Sequence, residues 1–144
     1  SFEVLSSGFP IGWQRRNSLT VDTTITHTGQ TSLKVIGGNG YTFAQNLPAL
    51  KPSTTYTLST WIKTQGVTTL GGVTVRYAVT LVTPNTYQAS PPVKGTTDWT
   101  RVVRTFTTAA NYQAGRLDLL YYVNTGATAW FDDVALCEGT QPCL

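Results

Sequence analysis

Val73-Thr74-Val75-Arg76-Tyr77-Ala78-Val79-Thr80-Leu81 puts Val73, Val75, Tyr77, Val79 and Leu81 on one parity and Thr74, Arg76, Ala78 and Thr80 on the other. Successive side chains of a strand point to opposite faces, so this period of two predicts a strand with one buried face. Gly71-Gly72 opens it. The same alternation recurs over 116–123, where Leu117, Leu119, Tyr121 and Val123 oppose Arg116, Asp118, Leu120 and Tyr122. In 56–63, Tyr56, Leu58 and Ile62 share one face and Trp61 and Lys63 the other. Further strands are expected at 18–21, 32–36, 41–47, 99–107 and 129–136. Gly29-Gln30, Gly37-Gly38-Asn39-Gly40 and the segment 48–54 are expected as turns, and 84–97 as a loop. About eight or nine short strands without an internal repeat predict an all-β chain, a two-sheet antiparallel β-sandwich of the jelly-roll kind.

Length and composition narrow the class. The 144 residues suit one domain, spanning 1–144, with one sizeable core. Charged residues make up only 12% of the chain, so Thr, Ser, Asn and Gln must supply most of the polar surface, as in extracellular β-proteins. The chain opens on Ser1-Phe2-Glu3 in a strand-like pattern and is expected to be a mature domain, or a piece cut from a longer secreted protein. No apolar run is long enough to cross a membrane as a helix. The +3 charge is spread along the sequence without the dense basic stripe of a nucleic-acid binder, and it permits an acidic polymer as partner. Cys137 and Cys143, the two cysteines, are expected to close a short disulfide loop and so to imply export; a pair of free thiols is the alternative.

Catalytic arrangements are poorly supplied. His27 is the single histidine, and no Gly-x-Ser-x-Gly nucleophile motif accompanies it. Of the seven acids, Asp132 and Asp133 are neighbours on one predicted strand and so are expected on opposite faces, while Asp98 and Asp118 have no evident partner. Zinc, phosphate-loop and dinucleotide motifs are absent. The expectation is a protein that is not an enzyme, with no catalytic residues.

Trp130-Phe131-Asp132-Asp133-Val134-Ala135-Leu136 carries two carboxylates inside an apolar run. A buried carboxylate is costly unless a cation or hydrogen-bond donors meet it. For an exported β-protein that cation is expected to be calcium; the alternative is that Asp132 bonds backbone N–H groups while Asp133 is solvated.

Taken in order, Phe2-Glu3, Gly12-Trp13, His27-Thr28-Gly29-Gln30-Thr31-Ser32-Leu33, Tyr56-Thr57-Leu58-Ser59-Thr60-Trp61-Ile62-Lys63, Thr97-Asp98-Trp99-Thr100 and Phe131-Asp132-Asp133-Val134 resemble the carbohydrate-binding modules of families four, nine, sixteen and twenty-two, a galactose-binding-domain-like jelly roll. The resemblance covers nearly the whole chain. It implies a glycan held on the concave sheet or at an edge, and a structural calcium between the N-terminal segment and the last strand. Glu3 and Asp132 match the acidic ligand positions, and Thr31 lies in the turn whose carbonyls complete the shell. Calcium takes six to eight oxygens at about 2.3–2.6 Å, so two carboxylates with carbonyls and water suffice.

Sugar recognition needs aromatic rings for the apolar faces of pyranoses and polar groups for the hydroxyls. Four Trp and seven Tyr are available. Trp13, beside Arg15 and Arg16, is expected as a platform or as a plug under the sheet. Trp61 is expected on the concave sheet or in the core. Tyr122 stands with Arg116 on the polar parity, Arg76 opposes five apolar residues, and Tyr87 with Gln88 is expected to border the cleft. The function expected is noncatalytic binding of a polysaccharide (β-glucan, mannan, xylan, or an acidic polymer such as alginate or pectin met by Arg15, Arg16, Arg76 and Arg116). Such binding would tether an attached catalytic domain to its substrate. Nucleic acid and membranes are not expected partners. A structural or adhesion domain without sugar affinity, and a small lyase or hydrolase on the same fold, are the alternatives.

Overall fold

The computed structural model describes residues 2–45, 47, 49–79, 86–111 and 115–143. Nine strands occur among them: β1 (Leu5–Ser6), β2 (Phe9–Pro10), β3 (Leu19–Asp22), β4 (Ser32–Phe43), β5 (Thr55–Val67), β6 (Val73–Val79), β7 (Thr86–Ala89), β8 (Gly95–Thr107) and β9 (Arg116–Glu138). β1 and β2 form a small hairpin turned by Ser7 and Gly8, both at positive φ (50° and 73°), as a two-residue hairpin loop demands.

β4 and β9 organise the rest because each bends and serves two layers. The first half of β4 pairs with the second half of β9 through Leu33↔Phe131 to Ile36↔Thr128, and the second half of β4 with the first half of β9 through Gly38↔Val123 to Phe43↔Asp118. One layer therefore runs β3-β4-β9-β5-β8, and the other runs β4-β9-β6-β7. All pairings are antiparallel, and the two layers form the expected jelly-roll sandwich.

The core lies between the layers. Leu33, Val35, Leu58, Ile62, Ala129 and Phe131 come from the five-stranded layer, and Val73, Val75, Tyr77, Leu117, Leu119, Tyr121 and Val123 from the four-stranded one. Tyr77 and Phe106 stack across the gap at 4.0 Å with an interplanar angle of 5°. Each of the Val, Leu, Ile and Phe side chains contributes about 1.5–3 kcal/mol by leaving water.

Several predicted boundaries change; the strands expected at 56–63 and 99–107 run over Thr55–Val67 and Gly95–Thr107, the one expected at 41–47 ends at Phe43, and the β1–β2 hairpin was not expected. Gly37-Gly38-Asn39-Gly40 is a bend within β4 rather than its end: Gly37 (φ 52°) and Gly38 (φ 152°) absorb the register shift where the strand passes between layers. The predicted strands 116–123 and 129–136 are one strand, β9, which bends over 124–127. The predicted loop 84–97 contains β7, whose short polar sequence carries little alternation. Thr80 and Leu81, at the end of the opening pattern, lie outside the described residues. Cys137 and Cys143 form the expected disulfide, with Cα atoms 5.9 Å apart.

Candidate functional site

The outward parity of the four-stranded layer forms one continuous surface. Phe43, Asp118 and Arg76 lie side by side on β4, β9 and β6; Tyr41, Leu120 and Thr74 make the next row; Asn39 and Tyr122 the one after. On the other side, Arg116, Ala78 and Tyr87 extend it to β7. At its centre Asp118 has 0% exposure and accepts Arg76 Nε at 2.7 Å on one oxygen and Arg116 Nε at 2.8 Å on the other. A buried carboxylate is tolerated only when paired in this way.

The two guanidiniums in turn lie over aromatic rings. Arg76 sits 4.5 Å from the Tyr87 centroid and 5.6 Å from that of Tyr41; Arg116 sits 4.8 Å from Tyr41 and 5.3 Å from Phe43. A third, Arg16, lies 5.1 Å from Tyr41 and donates through Nε to the Tyr41 carbonyl at 3.0 Å. Beside Tyr41 a recess of about 440 Å³ opens, lined by Arg16, Asn17, Ser18, Asn39, Gly40 and Tyr121.

Tyr122 is the open ring of this face, with 39% exposure. It rests on Gly71, where a Cβ would stand 2.4 Å from Tyr122 Cδ2. Only a glycine lets the ring settle so close to the backbone. Chemically, the surface offers a phenol face for a pyranose ring and guanidinium donors for hydroxyl or carboxylate oxygens.

Four of the predicted ligand residues, Arg76, Tyr87, Arg116 and Tyr122, thus share one face. The other four do not. Gln88 alternates with Tyr87, pairs with Tyr77 on the core-facing side, and accepts from Arg104 between the layer edges. Trp13 pairs with Ala44, packs edge-on against Phe2 with centroids 5.6 Å apart, and is partly buried at the edge of the core, away from that face. Arg15 lies over Phe9, 5.0 Å from the ring, in a separate recess by the first hairpin. Trp61 is on the outer surface of the other layer. It is not bare there, because His27 stacks on it at 4.0 Å and 16°, and Trp99 meets His27 edge-on at 5.7 Å.

Sequence reasoning passed over Tyr41, Phe43 and the pairing of Asp118. The i, i+2 spacing of Tyr41 and Phe43 within the expected strand 41–47, and of Arg116 and Asp118, was the available signal. Asp98, also expected without a partner, meets Lys63 Nζ at 2.9 Å.

The expected metal residues bracket the turn 27–31. Glu3 accepts the Gln30 N–H at 2.9 Å and the Thr31 N–H at 3.2 Å; the Gln30 bond in particular holds its carboxyl below the usual range. Thr31 Oγ1 donates to the Phe2 carbonyl at 2.8 Å. Asp132, with 0% exposure, accepts the N–H groups of His27 at 2.8 Å, Thr28 at 3.3 Å and Asp133 at 2.7 Å. Burial pushes its carboxyl up, and among the described residues it has no ion pair.

Asp133 does not take the opposite face. It is the extra residue where Ser59↔Ala135 shifts to Trp61↔Asp132, at φ 47°, and its carboxylate meets His27 Nδ1 at 2.8 Å and Thr28 Oγ1 at 2.7 Å. Among the described residues, no group of three or more His, Cys, Asp or Glu stands ready for a metal ion.

The profile of the carbohydrate-binding domain family CBM_4_9 matches residues 1–126. No curated protein matches the chain. Among solved structures, a family 16 carbohydrate-binding module is similar at 26% identity and a TM-score of 0.69, covering 89% of this chain and 92% of that one. The N-terminal cellulose-binding domain of Cellulomonas fimi β-1,4-glucanase C has the same fold at 24% identity and a TM-score of 0.57, with 84% of each chain covered. So does the structure of the family 22 binding module and family 10 catalytic module of Clostridium thermocellum endo-1,4-β-D-xylanase 10B, complexed with xylohexaose. The identity there is 14% and the TM-score 0.66, covering 92% of this chain and 27% of that one. The chain belongs to the CBM_4_9 family of carbohydrate-binding domains and is a noncatalytic carbohydrate-binding module.

Proposed function

We propose that this module holds a polysaccharide chain on the outer surface of its four-stranded layer and so keeps an attached catalytic domain near its substrate. The observation that carries this is Tyr122, an exposed ring seated close on Gly71 in the same surface as Arg76, Arg116 and Tyr87. A pyranose packs its apolar face on the phenol while guanidinium and amide groups take the hydroxyls. Binding is reversible and breaks no bond; the gain is the effective concentration of the tethered enzyme. The xylanase structure, in which a similar module accompanies a catalytic module, supports the tethered arrangement. The disulfide and the low charge content support secretion.

Calcium belongs to the same proposal. Asp132 is a buried carboxylate without an ion pair among the described residues, Glu3 and Thr31 lie at the same turn, and carboxylate oxygens that accept backbone N–H groups keep further lone pairs for an oxygen-seeking cation. Its part is to pin the N-terminal segment and the turn 27–31 to β9.

Affinity electrophoresis through gels containing β-glucan, glucomannan, xylan, alginate or pectin tests the function. Retardation on at least one gel, lost in Tyr122→Ala, is expected. Unretarded migration through every gel would leave a structural or adhesion domain.

A further inference from the structure

The guanidiniums around Tyr41 make the face more specific than a generic sugar platform. Arg16, Arg76 and Arg116 all lie within 5.6 Å of the Tyr41 centroid. One carboxylate, Asp118, is shared between two of them. The other six acids of the chain are engaged elsewhere: Glu3 and Asp132 at the turn 27–31, Asp133 on His27, Asp22 with Lys34, Asp98 with Lys63 and Glu138 with Lys51. Three positive charges against one negative leave the cluster at about +2.

Like charges gathered in this way repel, and Arg16 meets the cluster through a neutral carbonyl rather than a carboxylate. An arriving anion relieves that repulsion, whereas a neutral hydroxyl does not. Arg16 also lines the recess beside Tyr41 with Asn17, Ser18 and Asn39, where a carboxylate-bearing ring finds both a counter-charge and amide or hydroxyl partners. The planar fork of a guanidinium suits two carboxylate oxygens better than it suits separate hydroxyls.

We propose that the polysaccharide held on this face is a polyuronate, with hexuronate carboxylates seated at Arg16 and beside Arg76 and Arg116 while a sugar ring packs on Tyr122. This deepens the proposed function and rests on it.

The test uses the whole chain in affinity electrophoresis through polygalacturonate, alginate, fully methyl-esterified pectin, neutral β-glucan and poly(acrylic acid), at low and high NaCl. Retardation on polygalacturonate or alginate is expected to fall steeply with salt. It is expected to be absent on the esterified polymer and weaker on poly(acrylic acid), which has the charge without the rings. Arg16→Gln is expected to weaken polyuronate binding about fivefold, with an unchanged far-UV spectrum and melting curve. Salt-insensitive retardation on neutral β-glucan or esterified pectin would overturn the polyuronate assignment while leaving a glycan on this face. Equal retardation on poly(acrylic acid), or Arg16→Gln binding as wild type, would likewise overturn it. Free migration through all five gels would overturn both this assignment and the function it rests on.

Discussion

Asp133 places Oδ2 2.8 Å from Nδ1 of His27, on the same turn whose backbone its neighbour Asp132 already holds. Adjacent residues of a regular strand cannot face one target; the bulge at Asp133 makes it possible. The turn 27–31 is thereby clamped by two successive carboxylates, with Glu3 on its other side.

Removing the buried member of the clamp should be costly. Asp132→Ala strips the acceptor from three backbone N–H groups, and orphaned donors cost about 1–3 kcal/mol each without simple additivity. A loss of about 3 kcal/mol, or about 10 °C in melting temperature by circular dichroism, is expected. If calcium sits there as proposed, added Ca²⁺ raises the wild-type midpoint and a chelator lowers it, and Asp132→Ala responds to neither.

Asp22 gives a pH signature of the opposite kind to Asp132. Burial pushes its carboxyl up, but the Thr24 hydroxyl, the Trp130 indole N–H at 2.9 Å and the N–H groups of Thr24 and Ile25 more than offset this and hold it well below the carboxylate range. A depressed folded value contributes stability that is present above the unfolded pKa of about 3.9 and lost as pH falls below it. The stability difference between wild type and Asp22→Asn is therefore expected to be largest near neutrality and to shrink below about pH 4. Urea melts across that range check it; a difference that grows in acid would contradict the assignment.

Asp118→Asn tests the centre of the binding face. The substitution leaves two guanidiniums over the same Tyr41 ring without their shared counter-ion. Breaking a buried pair costs about 3–5 kcal/mol; because both arginines keep partial access to solvent, a loss of about 2–3 kcal/mol in denaturant melts is expected.

Tyr122→Ala should separate binding from folding. The ring is exposed, so stability should change by no more than about 1 kcal/mol. Glycan affinity, measured by isothermal titration, should fall about tenfold, the upper end of what one stacked ring supplies. Gly71→Ala should do the same by another route, because its new methyl displaces the Tyr122 ring. Normal affinity in both variants would move the platform elsewhere.

The layered antiparallel architecture was readable because alternation at 73–79 and 116–123 states which residues face the core and which face away from it. Tyr122, Arg76 and Arg116 were readable for the same reason, since being opposite to an apolar parity is a local property. Which outward residues meet was not. Arg76 reaches Asp118 across a sequence separation of 42, and Tyr41 joins them only because β4 bends at Gly37 and Gly38 instead of stopping. His27 covers Trp61 through a turn whose path no periodicity encodes.

Residue order alone thus determined the all-β class, the core-facing parity of the main strands and the family resemblance, and made the disulfide the expected pairing. The tertiary structure decided which outward side chains gather into one surface and which are covered. Period-two alternation is written in neighbouring residues, whereas strand register and a single bulge, which set those meetings, arise from pairings between distant segments.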